Sequence, residues 1–244
     1  MKLQVKNITK KFNSTTAVNN ISFVVEKNKT LGLLGPNGCG KTTSIGMMLG
    51  LITPTSGEIF INDTKLETKS RIELLSLMNF ASPYIELPKK LTVKQNLEVY
   101  ARLYGVNKIH ERINEMIEDL SLQKFLNKKT GELSSGQKNR VALAKSLINK
   151  PKLLFLDEPT ASLDPDVGDF VRKYIEDYKI NNELTILLAS HNMSEVQRLC
   201  DDIIMMKEGK IVDRGTCDEL IKKHGRENLE DTFLKIARSV NEFE

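Results

Sequence analysis

Residues 35–43 of this 244-residue chain constrain its fold more than any other segment, and they read Gly-Pro-Asn-Gly-Cys-Gly-Lys-Thr-Thr. They follow the short apolar run Thr30-Leu31-Gly32-Leu33-Leu34 and precede a segment rich in apolar residues. The pattern Gly-x4-Gly-Lys-Thr between a strand and a helix is typical of a phosphate-binding loop. Its glycines let successive backbone N–H groups curl around phosphate oxygens, and the helix N-terminus adds positive potential. The segment therefore predicts a strand, a phosphate-binding loop and a helix to about Leu51.

Each position of this loop has an expected role. Lys41 is expected to bridge phosphate oxygens, and the Thr42 hydroxyl is placed to ligate Mg²⁺. A structural glycine-rich turn is the alternative, but it leaves the Lys-Thr pair at the start of a helix unexplained. The other residues expected to line the bound phosphates are Asn37, Gly38, Cys39, Gly40 and Thr43.

A second motif stands at the end of an apolar run, where Leu153-Leu154-Phe155-Leu156 leads into Asp157 and Glu158. This pattern places two carboxylates at the carboxyl edge of a sheet, beside the phosphate loop. An Asp at this place holds Mg²⁺ in P-loop enzymes, and Glu158 would polarise the attacking water as a general base. A solvated acidic pair at a strand end is the alternative. The Pro-Thr pair and the segment Ser162-Leu163-Asp164 that follow favour the functional interpretation.

Two further motifs, Leu133-Ser134-Ser135-Gly136-Gln137 and Ser190-His191, complete an ordered series along the chain. The series resembles the nucleotide-binding domain of ABC (ATP-binding cassette) ATPases over nearly the whole chain. Ser135 stands where the family signature has its first glycine. A serine-glycine helix start is also an anion site on physical grounds, although a plain helix cap is the alternative.

The resemblance implies that two such domains pair head to tail. Ser134, Gly136 and Gln137 of one domain would then cap the γ-phosphate of the ATP that the other domain binds. Asp164 would link the two sites, and His191 would contact the γ-phosphate. ATP and Mg²⁺ are the implied cofactors, and a second copy of the chain is the favoured partner, with a heterodimer left open.

Two residues, Phe12 and Ser82, stand where family members contact adenine and Mg²⁺. Family members stack an aromatic residue on adenine, and Phe12 matches that place with Val18 beside it, unless Phe12 is only part of a strand core. A glutamine that touches Mg²⁺ in the family is replaced by Ser82, whose side chain is shorter. Ser82 could reach the metal through a water or a loop movement, which points to an active enzyme with altered coupling.

The alternation of strands and helices predicts an α/β fold with a mostly parallel sheet. The resemblance implies a P-loop NTPase core with an antiparallel β subdomain and an inserted α-helical subdomain. We expect residues 1–82 and 151–215 to form the RecA-like core, residues 83–150 the helical subdomain with the signature motif, and residues 216–244 two short accessory helices.

Composition limits the location and the partners. No stretch approaches the ~20 apolar residues that span a bilayer, and the N-terminus lacks the apolar core of a signal peptide. The three cysteines show neither metal spacing nor a disulfide framework. The basic residues, whose net excess is +4, are scattered, so no nucleic-acid partner is expected. These features predict a cytoplasmic protein, peripheral to the membrane if it serves a membrane process.

The resemblance thus implies an ATP-hydrolysing subunit that drives a separate integral membrane transporter subunit through ATP-dependent dimerisation. The membrane subunit's helix would dock beside residues 82–97. Residues 91–106 and 229–234 resemble the ABC-2 exporter class, which favours export. One alternative is a soluble ABC ATPase acting on ribosomes or DNA, although these usually carry two cassettes or a coiled coil. The other is a weakly hydrolysing regulatory subunit, which Ser82 favours and which Glu158 and His191 oppose.

Overall fold

A computed structural model of the chain describes residues 1–83, 86–161 and 163–238. The chain divides into two compact units, of which the first contains Met1–Ile72 and the chain from Thr185 onward. The second unit is Glu73–Leu184. These bounds differ from the expected domains, because residues 151–184 fall in the second unit with the helical segment. Ser162 and residues 239–244, which the expected motifs and tail include, lie outside the described residues.

The described residues form ten strands and nine α-helices. In chain order these are β1 (Leu3–Phe12), β2 (Thr15–Val25), β3 (Thr30–Leu34), α1 (Lys41–Met48), β4 (Ser56–Ile61), β5 (Thr64–Lys65), α2 (Arg71–Ser76), β6 (Met78–Ala81), α3 (Val93–Leu103), α4 (Ile109–Asp119), α5 (Ser135–Leu147), β7 (Leu153–Asp157), α6 (Pro165–Asn182), β8 (Thr185–Ala189), α7 (Met193–Leu199), β9 (Asp202–Lys207), β10 (Lys210–Gly215), α8 (Cys217–His224) and α9 (Leu229–Arg238).

The antiparallel sheet of the first unit has the strand order β2-β1-β4-β5. Val5 pairs with Phe23 across β1 and β2, and Val5 also pairs with Ile59 of β4. Buried and exposed residues alternate along much of β1, β2 and β4, which is the pattern of a sheet with one face on a core. The antiparallel β subdomain that the family resemblance implied is confirmed.

A second sheet in the first unit contains mainly parallel pairs. β3 lies between β8 and β9 and is parallel to both, while β10 is antiparallel to β9. All residues of β3 and β8 are buried, as expected for parallel strands covered on both faces. This arrangement carries the chain from the end of β3 directly into the phosphate loop.

The second unit contains the parallel pair β6 and β7 with helices α3 to α6. Thr92 caps α3 by accepting a hydrogen bond from the Gln95 N–H, and the Gln95 side chain in turn accepts a bond from the Thr92 N–H. The two bonds form a capping box. Leu97 and Ala101 lie on the buried face of α3, as the helical spacing predicts.

A buried arginine holds the end of α5 in the second unit. Arg112 of α4 donates from Nη2 to the Leu147 carbonyl at 2.5 Å and from Nε to the Ile148 carbonyl at 3.1 Å. It also donates to the Tyr178 hydroxyl at 3.1 Å and forms an ion pair with Glu115. The guanidinium therefore satisfies carbonyls that the end of a helix leaves without partners. The sequence pattern gave no sign that this charged residue is buried.

The C-terminal helices pack on the first unit. Leu220 of α8 and Leu229 of α9 are buried in one cluster with Leu34, Val196, Ile203 and Met205. Asp213 of β10 anchors α8, because it accepts a bond from Lys223 Nζ at 2.6 Å and lies 2.6 Å from Nε2 of His224. Two short helices were predicted here, and the structure shows that they contribute to the core.

Candidate functional site

The phosphate loop joins β3 to α1, and its lysine is folded back over it. Lys41 is only 7% exposed, and its Nζ donates to the Gly35 carbonyl at 2.6 Å and the Pro36 carbonyl at 3.2 Å. Both acceptors belong to the phosphate loop, so the ammonium group of Lys41 is held against the backbone of that loop. A cation held at this place can neutralise the charge of a bound phosphate.

The loop also provides backbone donors. The first bond within α1 runs from the Ser44 N–H to the Gly40 carbonyl, so the N–H groups of the three residues before Ser44 precede the helical ladder. Asn37, Gly38 and Thr42 are exposed. Several N–H donors, an ammonium group and a hydroxyl within one turn are the donor set that a polyphosphate requires, so the residues present fit ATP.

Close packing fixes the back of the loop. Gly40 has φ +105°, and a Cβ on it would lie 2.6 Å from the Ala17 carbonyl oxygen and 3.2 Å from Cγ2 of Val18. Val18 is completely buried, so in this structure it supports the loop from beneath and presents no surface to a ligand. Its expected contact with adenine stays a prediction.

The turn between β9 and β10 braces the same loop. The Gly209 N–H donates to the Cys39 carbonyl at 3.0 Å, and the Asn19 N–H donates to the Gly209 carbonyl at 2.8 Å. Sequence reasoning missed this brace. The Glu-Gly-Lys segment at residues 208–210 is a turn signal, but its contact with the loop depends on the tertiary fold. Burial raises the pKa of the Cys39 thiol and keeps it protonated.

Phe12 lies at the end of β1 with nearly half of its surface exposed, at 46%. The Lys10 ammonium lies 4.9 Å from the centre of its ring and donates to the Thr53 carbonyl at 2.9 Å. An exposed aromatic ring is available for stacking, whereas a strand-core residue would be covered. The exposure therefore favours the predicted adenine contact.

The acidic pair lies at the end of β7 in the second unit. Asp157 and Glu158 are both buried. Glu158 has φ +54°, and its carbonyl accepts a bond from the Ala161 N–H at 3.0 Å. A glutamate in the left-handed region is uncommon outside glycine-rich turns and costs about 1–3 kcal/mol. Such strain persists where the surroundings fix the residue, and it is concentrated at functional sites.

The signature motif forms the start of α5. Ser134 caps the helix by accepting a bond from the Gln137 N–H at 3.3 Å, and its own N–H donates to Oε1 of Gln137 at 3.2 Å. A Cβ on Gly136 would lie 3.2 Å from Val167 of α6, so glycine permits close packing there. Ser134 is exposed at this helix start, which leaves the N-terminus open to an anion.

A buried bond connects the signature helix to the chain after the acidic pair. Asn139 Nδ2 donates to the Pro159 carbonyl at 2.5 Å. Pro159 follows Glu158 directly, so this bond ties α5 to the backbone beside the carboxylate. This residue was missed from the sequence because Asn139 lies inside a helical pattern and has no motif of its own.

The remaining expected residues lie as follows. Asp164 is exposed and stands at the N-cap of α6, where its carbonyl accepts a bond from the Gly168 N–H. Ser82 is buried directly after β6 and lines a cavity of about 340 Å³. His191 is exposed after β8, and the preceding Ser190 accepts a bond from the Asn192 N–H at 3.1 Å.

The donor types present also suit magnesium. Thr42 and Ser82 offer hydroxyl oxygens, and Asp157 offers a carboxylate at the end of a strand. Mg²⁺ prefers hard oxygen ligands from one or two carboxylates or hydroxyls together with substrate phosphates. Each of these residues therefore offers an oxygen that suits the ion, and Mg²⁺ would neutralise phosphate charge when bound.

An α/β fold with a phosphate loop between β3 and α1, followed along the chain by the signature and acidic motifs, is that of the ATP-binding cassette class of P-loop ATPases. A family model described as ABC transporter matches residues 18–161. This chain belongs to the ABC transporter family, as an ATP-binding subunit with ATPase activity. The predicted fold class, ATP binding and ATPase activity are confirmed.

Curated relatives match almost all of the chain. The ABC transporter ATP-binding protein NatA of Bacillus subtilis (strain 168) is 37% identical over 235 residues, covering 92% of this chain and 92% of NatA. The Nod factor export ATP-binding protein I of Rhizobium sp. (strain N33) is 34% identical over 224 residues, covering 91% of this chain and 73% of the relative.

Solved structures share the fold. The ATP-binding subunit of an ABC transporter superposes with a TM-score of 0.88 at 24% identity, covering 98% of this chain and 100% of that one. The cbiO1 protein of Clostridium perfringens, described as part of the ABC transporter complex cbiONQ, gives a TM-score of 0.81 at 28% identity, covering 91% and 90% of the two chains. No helix among the described residues has the length and apolar character needed to cross a membrane.

Proposed function

We propose that this subunit powers export through a separate integral membrane subunit, and that two identical copies act together at the cytoplasmic face of the membrane. The observation that carries the proposal is the exposed, capped start of α5 at Ser134, with a glycine two residues later. This helix start belongs to the second compact unit, whereas the phosphate loop belongs to the first. The phosphate that this helix start would cap is the γ-phosphate of the ATP bound to a second copy of the chain.

The residues of the site have distinct roles in this proposal. Lys41 and the loop N–H groups hold the phosphates, and Glu158 takes a proton from the attacking water. Thr42 and Asp157 would offer oxygens to Mg²⁺, as would Ser82. His191 contacts the γ-phosphate, and Asp164 links the two copies. The burial of Glu158 directly after β7 supports its role, because the exposed Glu183 and Glu208 share its left-handed backbone but not its burial at a strand end.

The membrane partner is expected at the cavity of about 340 Å³ in the second unit. Its lining combines apolar side chains, such as Leu87 and Val141, with the polar Ser82 and Lys89. A short amphipathic helix fits such a lining, since its apolar face covers the apolar residues. The direction of transport is supported by the relative named for Nod factor export.

Size-exclusion chromatography with light scattering tests whether ATP pairs two copies of the chain. The Glu158→Gln variant with ATP and Mg²⁺ should elute with twice the 27.6 kDa mass of one chain, and it should stay monomeric without ATP. The Glu158→Gln protein is used because slow hydrolysis preserves the ATP-bound state.

A matched pair of variants locates the contact. Ser134 and Thr92 both cap a helix with the same capping box. Ser134→Glu adds a negative charge beside the phosphate of the second copy and should abolish the dimer, whereas Thr92→Glu should leave it intact. Dimerisation by Ser134→Glu as readily as by Thr92→Glu would remove the support for a site shared between copies.

Purification from native membranes tests the partner. The tagged full chain, extracted in mild detergent, should bring a polytopic membrane protein at near-equal stoichiometry. Ribosomal or DNA-repair proteins in its place would overturn the transporter coupling and leave only the ATPase assignment.

A further inference from the structure

Lys10 of β1 holds its ammonium group in a defined place over an exposed aromatic ring. Its Nζ donates to the Thr53 carbonyl at 2.9 Å and lies over the Phe12 ring, 4.9 Å from the ring centre. The segment that carries the acceptor is itself bound to β1, because the Thr55 N–H donates to the Thr9 carbonyl at 2.8 Å. The ammonium group therefore covers one face of Phe12 from an anchored position.

Both residues lie beside the phosphate loop, in the same compact unit. Lys10 pairs with Val18 in the register of β1 and β2, and a Cβ on Gly40 of the loop would lie 3.2 Å from Cγ2 of Val18. Phe12 is two residues further along β1, which is about 7 Å at the rise of a strand. The ribose of a nucleotide spans a distance of this order, so phosphates in the loop and a base at the Phe12 ring are compatible.

An exposed phenylalanine stacks on a ligand more tightly when its ring is held in place beforehand. The Phe12 side chain is 46% exposed, and a side chain with several staggered rotamers loses that freedom when a ligand fixes one of them. A cation over one face of the ring favours the rotamer that keeps this contact. The opposite face is then the stacking surface for a planar base.

We propose that Lys10 is a positioning residue for the nucleotide base, which acts through Phe12 and not through the phosphates. Its contact holds the ring so that adenine stacks on the face opposite the ammonium group. This role rests on the predicted contact of Phe12 with adenine at the proposed ATP site. Removal of the charge should therefore weaken only the part of ATP binding that depends on the base.

Three variants measure the effect of the charge. Lys10→Met removes the charge and keeps an unbranched apolar side chain, while Lys10→Arg keeps a cation that stacks on aromatic faces. Lys6 is the matched control, since its ammonium group lies 4.5 Å from the centre of the Phe60 ring in the same antiparallel sheet. In calorimetry with ATP and EDTA, we expect Lys10→Met to weaken binding by about two- to threefold, because a cation–π contact at an exposed site is weak. Lys10→Arg should restore most of this loss, and Lys6→Met should bind ATP like the wild type.

Two further measurements show whether Lys10 acts through the ring. Inorganic tripolyphosphate carries the phosphates of ATP without the base, and Lys10→Met should bind it as the wild type does. In a Phe12→Ala background, the loss caused by Lys10→Met should disappear, because residues that act as a unit are not additive. A lysine that attracts the phosphates directly would weaken tripolyphosphate binding as much as ATP binding, in either background.

The outcomes separate the role of Lys10 from the adenine contact itself. Wild-type ATP affinity in Lys10→Met, together with the expected loss of about fivefold in Phe12→Ala, would overturn the positioning role and leave the adenine contact standing. Equal losses for ATP and tripolyphosphate would also overturn it, as would a loss that persists in the Phe12→Ala background. Wild-type ATP affinity in Phe12→Ala would refute the adenine contact on which the role rests, and it would leave the proposed coupling to transport unaffected.

Discussion

Gly38 and Gly40 offer a direct test of how packing shapes the phosphate loop. Both lie in the left-handed region, with φ +81° and +105°. A Cβ on Gly38 would meet nothing within 4 Å, whereas a Cβ on Gly40 would lie 2.6 Å from the Ala17 carbonyl oxygen. Alanine at either position therefore carries backbone strain, but only at position 40 does it also collide with β2.

The two costs can be separated by size. Backbone strain from a left-handed alanine is about 1–2 kcal/mol and applies to both variants. Displacing a main-chain carbonyl and the side chain of Val18 adds about 1–3 kcal/mol at position 40. We therefore expect Gly40→Ala to lower the free energy of unfolding by about 2–5 kcal/mol, and Gly38→Ala by about 1–2 kcal/mol.

Urea unfolding of the nucleotide-free chain measures both variants. Equal slopes with different midpoints would show that stability alone has changed. The reasoning fails if Gly38→Ala costs as much as Gly40→Ala, because the collision with Ala17 is then irrelevant to the stability of the loop.

Three further predictions concern Arg112, Asp213 and Phe12. Arg112→Leu leaves the carbonyls at the end of α5 without partners and should lower the free energy of unfolding by about 2–4 kcal/mol in a urea titration. Arg102 is exposed, and Arg102→Leu should change the free energy of unfolding by less than about 0.5 kcal/mol in the same titration. Burial alone would raise the pKa of Asp213, but bonds from α8 and a backbone N–H lower it overall, so its contribution is present at neutral pH and is lost as pH falls through the folded-state pKa. Asp213→Asn should therefore destabilise the protein at pH 7, and the difference from the wild type should shrink below about pH 4 in thermal unfolding. Phe12→Ala should weaken ATP binding in calorimetry by about 1 kcal/mol, roughly fivefold, while Phe60→Ala, which removes another lysine-capped ring of the same sheet, should leave the affinity unchanged.

Local patterns predicted the elements that carry the motifs. The strand before the phosphate loop, the helix after it and the apolar strand before Asp157 were all readable, because each combines a buried run with a distinctive polar signal. The structure places them at Thr30–Leu34, Lys41–Met48 and Leu153–Asp157. Function was readable for the same reason, since phosphate chemistry restricts which residues can stand at these positions.

Short and polar elements were not predicted. β6 contains only four residues with a buried asparagine, and α2 only six, so neither shows a full period. The buried Arg112 and the left-handed Glu158 were also hidden, because burial of a charge and backbone strain depend on residues distant in sequence. The signature-helix bond from Asn139 to Pro159 belongs to the same group.

The most direct test of the account compares phosphate release by Glu158→Gln and Glu183→Gln. Both replace a glutamate in the left-handed region, with φ +54° and +51°, but Glu183 is an exposed helix end. A general base contributes about 10²–10⁴-fold, so Glu158→Gln should lose at least about 10²-fold in rate while retaining ATP affinity. Glu183→Gln should hydrolyse ATP like the wild type. Hydrolysis by Glu158→Gln at the wild-type rate would contradict the assignment of Glu158 as the residue that activates water.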